Sequence, residues 1–134
     1  MKIKFLKTAL VGISVVCFAF APPEKGKPWS APDKNAKTAN AVKTNPESVK
    51  AGAALFAKHC QSCHGKKGLG DGTKASELKT EPGDFSTAAF QGQSDGSLFY
   101  KITEGRDDMP SFKKKIPDAN DVWNLVNFLR TLKK

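Results

Sequence analysis

The sequence is poor in the residues from which most active sites are built. Among 134 residues there are three cysteines, two histidines, two methionines and one tyrosine. A structural zinc site takes four ligands, usually as two pairs well apart in the chain, and no second pair exists here. Apolar and polar residues nowhere alternate over the length of a strand, which argues against a sheet. The glycine cluster Gly68-Leu69-Gly70-Asp71-Gly72 follows no strand and precedes no Gly-Lys-Ser/Thr, so it is not a phosphate loop. The longest apolar run has thirteen residues, Ala9 to Ala21, short of the roughly 20 that span a bilayer.

That run has its own meaning. Lys2, Lys4 and Lys7 precede it, and it ends in the small-x-small pattern Ala19-Phe20-Ala21. Residues 1–21 are therefore expected to be a signal peptide cleaved after Ala21, the alternative being an uncleaved anchor. Cys17 and Met1 would leave with it, so Cys60, Cys63 and Met109 would be the only sulfur residues left. Residues 22–45 are rich in Lys, Pro and Ala and nearly devoid of apolar side chains. Such a composition cannot offset its ordering entropy by burial, which predicts a flexible linker or tail with Trp29 exposed. The remaining residues, 46–134, carry fourteen basic and eleven acidic side chains. A net charge that small, without interleaved aromatics, argues against nucleic-acid binding.

Order begins at Asn45-Pro46, a good N-cap followed by a proline tolerated in the first turn. Val49, Gly52, Ala53 and Phe56 then fall on one helical face. Gly52 costs that helix roughly 1 kcal/mol against alanine, which is easier to understand if another backbone crosses there. A helix over Asp95 to Glu104 follows Ser94. A last one starts at Pro117-Asp118, with Val122, Leu125, Val126, Leu129 and Leu132 as its stripe. Trp123 lies off that stripe, placed to pack on a neighbouring loop or a ligand edge. A helical turn is also expected near Ala75–Lys79. The fold class is all-α, with three to four short helices and long loops. Eighty-nine residues so arranged make a thin core, near the size at which chains need a staple or cofactor.

Three chemistries compete for Cys60-Gln61-Ser62-Cys63-His64. Zinc lacks its second ligand pair. A dithiol oxidoreductase gains thiolate character from a helix N-terminus, whereas these cysteines follow the end of a helix. Covalent haem fits: C-x-x-C-H is the attachment signature of c-type haem. Its spacing lets Cys60 and Cys63 reach neighbouring vinyl groups and directs His64 at the iron. The sixth ligand then follows by elimination. His59 abuts the first cysteine and cannot reach the opposite face. Met109 is the only remaining thioether, and its neighbours Arg106, Asp107, Asp108 and Lys113 are poor company for a core residue. Asp107 and Asp108 themselves read as a solvated loop tip.

Over residues 46–134 the chain resembles a class I cytochrome c of the bacterial, monohaem, His/Met-ligated kind. The resemblance is carried by Gly52 and Phe56 ahead of the first cysteine and by Cys60, Cys63 and His64. It continues through Ser94 to Gly105, Met109-Pro110 and Val122 to Leu129. Where the family often has Tyr, this chain has Phe128. The resemblance implies a cytochrome c fold wrapped around one covalent haem c, and a first helix crossing the last at Gly52. It implies tight turns of Gly68, Gly70 and Gly72 under the haem edge, and a loop carbonyl, for which Pro82 is the candidate, holding the outer nitrogen of His64. It also implies that Lys66, Lys67 and Lys113–Lys115 border the haem edge.

The function implied is one-electron transport between respiratory or dehydrogenase partners, not catalysis, in the periplasm. Redox proteins with an acidic docking patch are the expected partners. Contact with a membrane is expected only through an uncleaved signal or a membrane-bound partner. The alternatives are a tethered haem subunit of a dehydrogenase or terminal oxidase complex and, behind it, a haem enzyme or gas sensor with a displaceable Met109.

Overall fold

The computed structural model describes residues 29–134. The expected signal peptide and the first seven residues of the expected linker lie outside them. Six helices are present among the described residues: α1 (Asp33–Ala36), α2 (Pro46–His59), α3 (Gln61–His64), α4 (Ala88–Gln91), α5 (Asp95–Glu104) and α6 (Ala119–Arg130). A single 3-10 turn covers Ala75–Glu77. The described residues contain no strand, only an isolated bridge between Arg106 and Met109. None of their helices is long and apolar enough to cross a membrane.

The three long helices start where their local chemistry dictates. The Asn45 side chain accepts from the Ser48 amide at 2.7 Å, and Ser48 Oγ accepts from the Asn45 amide at 3.1 Å. This reciprocal cap satisfies two main-chain N–H groups that the helix leaves over. Ser94 caps α5 and Asp118 caps α6 in the same manner, each through one side-chain oxygen. The unforeseen elements are single turns of four residues, α1, α3 and α4. They are too short to leave a periodic signature.

α2 and α6 cross and bury Phe56, Val122, Leu125, Val126 and Leu129 between them and their neighbours. Gly52 sits at the crossing. A Cβ there would stand 2.6 Å from the Asn124 carbonyl carbon and 2.8 Å from Phe128 Cβ. Backbone meets backbone, so the missing side chain is what permits the approach. Gly52→Val should therefore destabilise the domain by about 2 kcal/mol or more, as overpacking does, although helix propensity alone favours valine by a few tenths. A thermal melt checks the sign, and an unchanged or higher midpoint would refute the crossing. Trp123 departs from expectation. It is buried against Phe99 of α5, ring centroids 4.2 Å apart, and so serves the helix core rather than a loop.

Residues 29–45 also depart from the expected free tail. They lie on the domain, held mostly by polar contacts rather than apolar burial. The anchor is Asn127 of α6, which is 1% exposed. Its Oδ1 accepts from Asn40 Nδ2 at 2.8 Å and Thr44 Oγ1 at 3.0 Å. Its Nδ2 donates to the Val42 carbonyl at 3.1 Å and to Ser48 Oγ at 3.2 Å. Both ends of the amide are satisfied, which is the condition under which a polar group can be buried at no net loss.

Candidate functional site

The turn bearing the two cysteines continues directly from α2. The amides of Cys63 and His64 both donate to the Cys60 carbonyl, at 3.2 and 3.0 Å. One turn of helix thus places Cys60, Cys63 and His64 as near neighbours. The carbonyls on its outer side are covered by the glycine loop. Gly70 N donates to the His64 carbonyl at 2.9 Å, Gly72 N to that of Cys63 at 3.2 Å, and Lys74 N to that of Ser62 at 2.8 Å. These N–H groups are occupied by main chain, which is why the cluster cannot cradle a phosphate. A Cβ at Gly72 would meet the Cys63 carbonyl carbon at 2.5 Å, so glycine is required for that closure.

Met109 comes from the other side. Arg106 and Met109 exchange both main-chain hydrogen bonds, 2.8 and 2.9 Å, in a tight turn with Asp107 at φ +51°. Asp108 was expected to be merely solvated. Its Oδ2 instead accepts from the amides of Lys79 and Thr80, at 2.8 and 3.1 Å. That contact ties the Met109 turn to the loop carrying Pro82, and no local sequence signal announces a link across nearly thirty residues.

The two sides meet in one cavity of about 420 Å³ whose wall includes Cys60, Cys63, His64, Pro82 and Met109. All five residues singled out from the sequence therefore line the same space. Leu78, Phe85, Phe90, Leu98, Ile102, Phe112 and Leu129 give it an apolar lining. Phe85 stacks on His64, ring centroids 4.5 Å apart, and on Phe90 at 4.3 Å. His59 also lines the cavity, against Phe112 at 6.1 Å.

The electrostatics separate the candidate chemistries. Burial pushes the Cys60 thiol up to about 12, with the nearby Cys63 adding to the effect. Both cysteines are free. A disulfide oxidoreductase needs a thiolate near neutral pH, and burial works against that at Cys60. Burial lowers the His64 pKa to about 4, opposed by the Pro82 carbonyl acting as acceptor. The imidazole is therefore neutral near pH 7 with a lone pair to offer. His64 Nδ1 is buried and completes no hydrogen bond of ordinary geometry, so the Pro82 carbonyl acts on the ring without a well-formed bond. Among the described residues no group of three or more His, Cys, Asp or Glu side chains is placed to hold a metal ion. A large flat apolar group carrying its own iron suits this donor set: two thiols, a neutral imidazole and a thioether around an apolar cavity.

The lysines are arranged differently from expectation. Of Lys66, Lys67 and Lys113–Lys115, only Lys115 lines the cavity. Lys113 pairs with Glu104 at 2.6 Å. Lys74 and Lys101 line it instead. They belong to the glycine loop and to α5, and no run of charge in the sequence marks them.

A small helical domain wrapped around such a cavity is the architecture of the c-type cytochromes. Residues 47–129 match the family model described as "Cytochrome C oxidase, cbb3-type, subunit III", and the chain belongs to that family. It is a class I monohaem cytochrome c by family and fold. Solved structures agree. A chain of the Kuenenia stuttgartiensis reducing HAO-like protein complex Kustc0457/Kustc0458 is 29% identical with a TM-score of 0.64, the match covering 69% of this chain and 47% of that one. The chain thus spans about half the length of that neighbour. The KustC0563 c-type cytochrome is 32% identical with a TM-score of 0.55, covering 62% of this chain and 98% of that one. Cytochrome CL from the marine methylotrophic bacterium Methylophaga aminisulfidivorans MPT, at 22% identity and a TM-score of 0.53 over 67% of this chain and 56% of that one, shares the fold. A comparison with curated proteins finds no match.

Proposed function

We propose that the protein is a one-electron carrier holding one haem c per chain, working in the periplasm or an equivalent exported compartment. The observation that carries this reading is the convergence of Cys60, Cys63, His64 and Met109 on one apolar cavity. Cys60 and Cys63 would hold the porphyrin as thioethers. His64, kept neutral by burial, would ligate the iron through an imidazole nitrogen and Met109 through its sulfur. The haem supplies the one-electron couple. With His64 and Met109 both serving as iron ligands, the chain would leave no open iron position for oxygen or peroxide. The Cys60–His64 turn and the Arg106–Met109 turn, each closed by main-chain hydrogen bonds, would keep the two ligands in place.

The test is a denaturing mass spectrum together with an optical spectrum of the reduced protein. The expected result is one haem retained through acid-acetone extraction, with the sharp visible bands of a six-coordinate c-type haem. A bare polypeptide mass would end the reading.

A second reading keeps the same site but makes the protein a haem subunit of a larger redox complex. It is favoured by the family's description as an oxidase subunit and by the structural neighbour's place in a complex. Co-purification with a large membrane-bound partner would select it over a free carrier.

In either case the electron leaves toward a protein surface, and an acidic docking patch on the partner is the complement of Lys74 and Lys115 at the cavity. Lys74→Glu with Lys115→Glu should slow electron transfer to the native partner about tenfold or more at low salt. It should also flatten the salt dependence, because such steering fades over about 8 Å at physiological ionic strength. Stopped-flow kinetics over a salt series checks both.

A further inference from the structure

The Met109 turn is fastened on two sides by different means. On one side it grows out of α5. Gly105 N donates to the Lys101 carbonyl at 3.0 Å, Ser111 Oγ to that of Thr103 at 2.5 Å and Phe112 N to that of Ile102 at 3.2 Å. These bonds hold the base of the turn. Met109 stands nearer its tip, half-buried, two residues from Asp107 at φ +51°.

On the other side the turn meets the loop that leaves the 3-10 turn Ala75–Glu77. There Asp108 Oδ2 takes both the Lys79 and the Thr80 amide, at 2.8 and 3.1 Å. Two successive main-chain N–H groups turned on one carboxylate oxygen make charge-assisted hydrogen bonds, about twice as strong as neutral ones. Residues 78–84 form no helix or strand that could use these amides. Asp108 is exposed, so its bonds compete with water and the contact can open and close. The contact also bridges the cavity. Asp108 adjoins Met109 in the chain, Thr80 stands two residues before Pro82, and the Pro82 carbonyl acts on His64. All five residues line the same space.

We infer that Asp108 is a positioning residue for the axial methionine, a latch that holds the Met109 turn to the cavity and ties its release to the loop bearing on His64. The inference rests on the haem reading above. Asp108 acts through the turn and is not itself a ligand. Coupling between two events is reciprocal. If losing the latch favours displacement of Met109 by some factor, displacing Met109 must loosen the hold on the Lys79 and Thr80 amides by the same factor.

The experiment uses the full-length, haem-loaded protein as wild type, Asp108→Ala and Asp108→Asn. Asparagine keeps an oxygen able to take both amides and loses the charge, whereas alanine loses both. Covalent haem is read by denaturing mass and Met109 ligation by the far-red sulfur-to-iron band. Displacement is read by cyanide titration of the oxidised protein, and the latch by hydrogen exchange at the Lys79 and Thr80 amides. Asp108→Ala should weaken the sulfur band and raise cyanide affinity about tenfold, the size expected from losing a water-exposed hydrogen bond to a charged group. Asp108→Asn should stay close to wild type in both. The midpoint potential should rise in both variants, since each removes a negative charge that favours the oxidised state, so the potential reports charge and cyanide reports position. In the wild type, the two amides should exchange about tenfold faster once cyanide has displaced the methionine. This last measurement keeps the inference falsifiable if Asp108→Ala fails to load. Wild-type cyanide affinity in Asp108→Ala would overturn it. So would an equal gain in both variants, which assigns the effect to charge, or unchanged amide exchange in the cyanide adduct. A wild-type protein without covalent haem would fail the haem reading, and one with haem but no far-red band would fail Met109 as ligand. Both are seen in the wild type alone and so stand apart from failure of the latch.

Discussion

A chain with Cys60→Ala and Cys63→Ala together is expected to carry no covalent haem and to show no cooperative thermal transition. Each single variant is expected to mature in much lower yield than wild type. The size of the effect follows from the cavity. The cavity is about 420 Å³, much more than the space left by deleting one buried side chain, a loss that by itself costs about 2–5 kcal/mol. Small domains have a net stability of about 5–15 kcal/mol, so the group that fills this space is part of the core. Phe85 and Phe90 line it and are only partly buried by the protein's own side chains. Denaturing mass spectrometry and calorimetry on the purified variants check the two halves separately. A double variant that melts cooperatively at the wild-type temperature would refute the role of haem as core.

Met109→Ala should leave the haem attached and change its chemistry. Methionine raises the potential relative to harder ligands, and axial ligands set haem potentials over about 0.8 V. Loss of the thioether should therefore lower the midpoint by a few tenths of a volt. The far-red sulfur-to-iron band of the oxidised protein should vanish, and cyanide or carbon monoxide should bind where the wild type resists them. The variant should fold, because the turn is closed by the main chain of Arg106 and Met109 and by Asp108 on the amides of Lys79 and Thr80, none of which needs the sulfur. Wild-type potential and spectrum in this variant would exclude Met109 as ligand.

The starts of the three long helices were legible because caps are local: an Asn45, Ser94 or Asp118 oxygen reaches an amide two or three residues ahead. The crossing at Gly52 was legible because a glycine in the middle of an apolar helical face is unfavourable unless something approaches it. The cysteine turn was legible because its chemistry is written within five residues. Met109 followed from scarcity, being the one methionine besides Met1.

Other features were not legible. Residues 22–45 read as a tail because their apolar content is low, and the judgement failed over 29–45 because the anchor is not apolar. It is Asn127, 87 residues from Asn40, inside a helix where an asparagine reads as a surface residue. Trp29 read as exposed for the same reason, since nothing near it in the chain announces Lys101 or Arg106, whose cations lie 5.4 and 5.0 Å from its ring centroid. Of the lysine run 113–115 only Lys115 lines the cavity, beside Lys74 and Lys101 from separate elements.

By itself, then, the sequence determined whatever depends on neighbours within about one helical turn and on which residue types are present at all: the helix starts, the paired thiols with their histidine, the one methionine besides Met1. The tertiary structure alone decided which distant polar groups meet: Asn127 with residues 40–44, Asp108 with the loop opposite, Trp29 with two cations. A buried polar group is tolerated only when its hydrogen-bond partners arrive with it, and the partners of Asn127 in residues 40–44 lie 83 to 87 residues away.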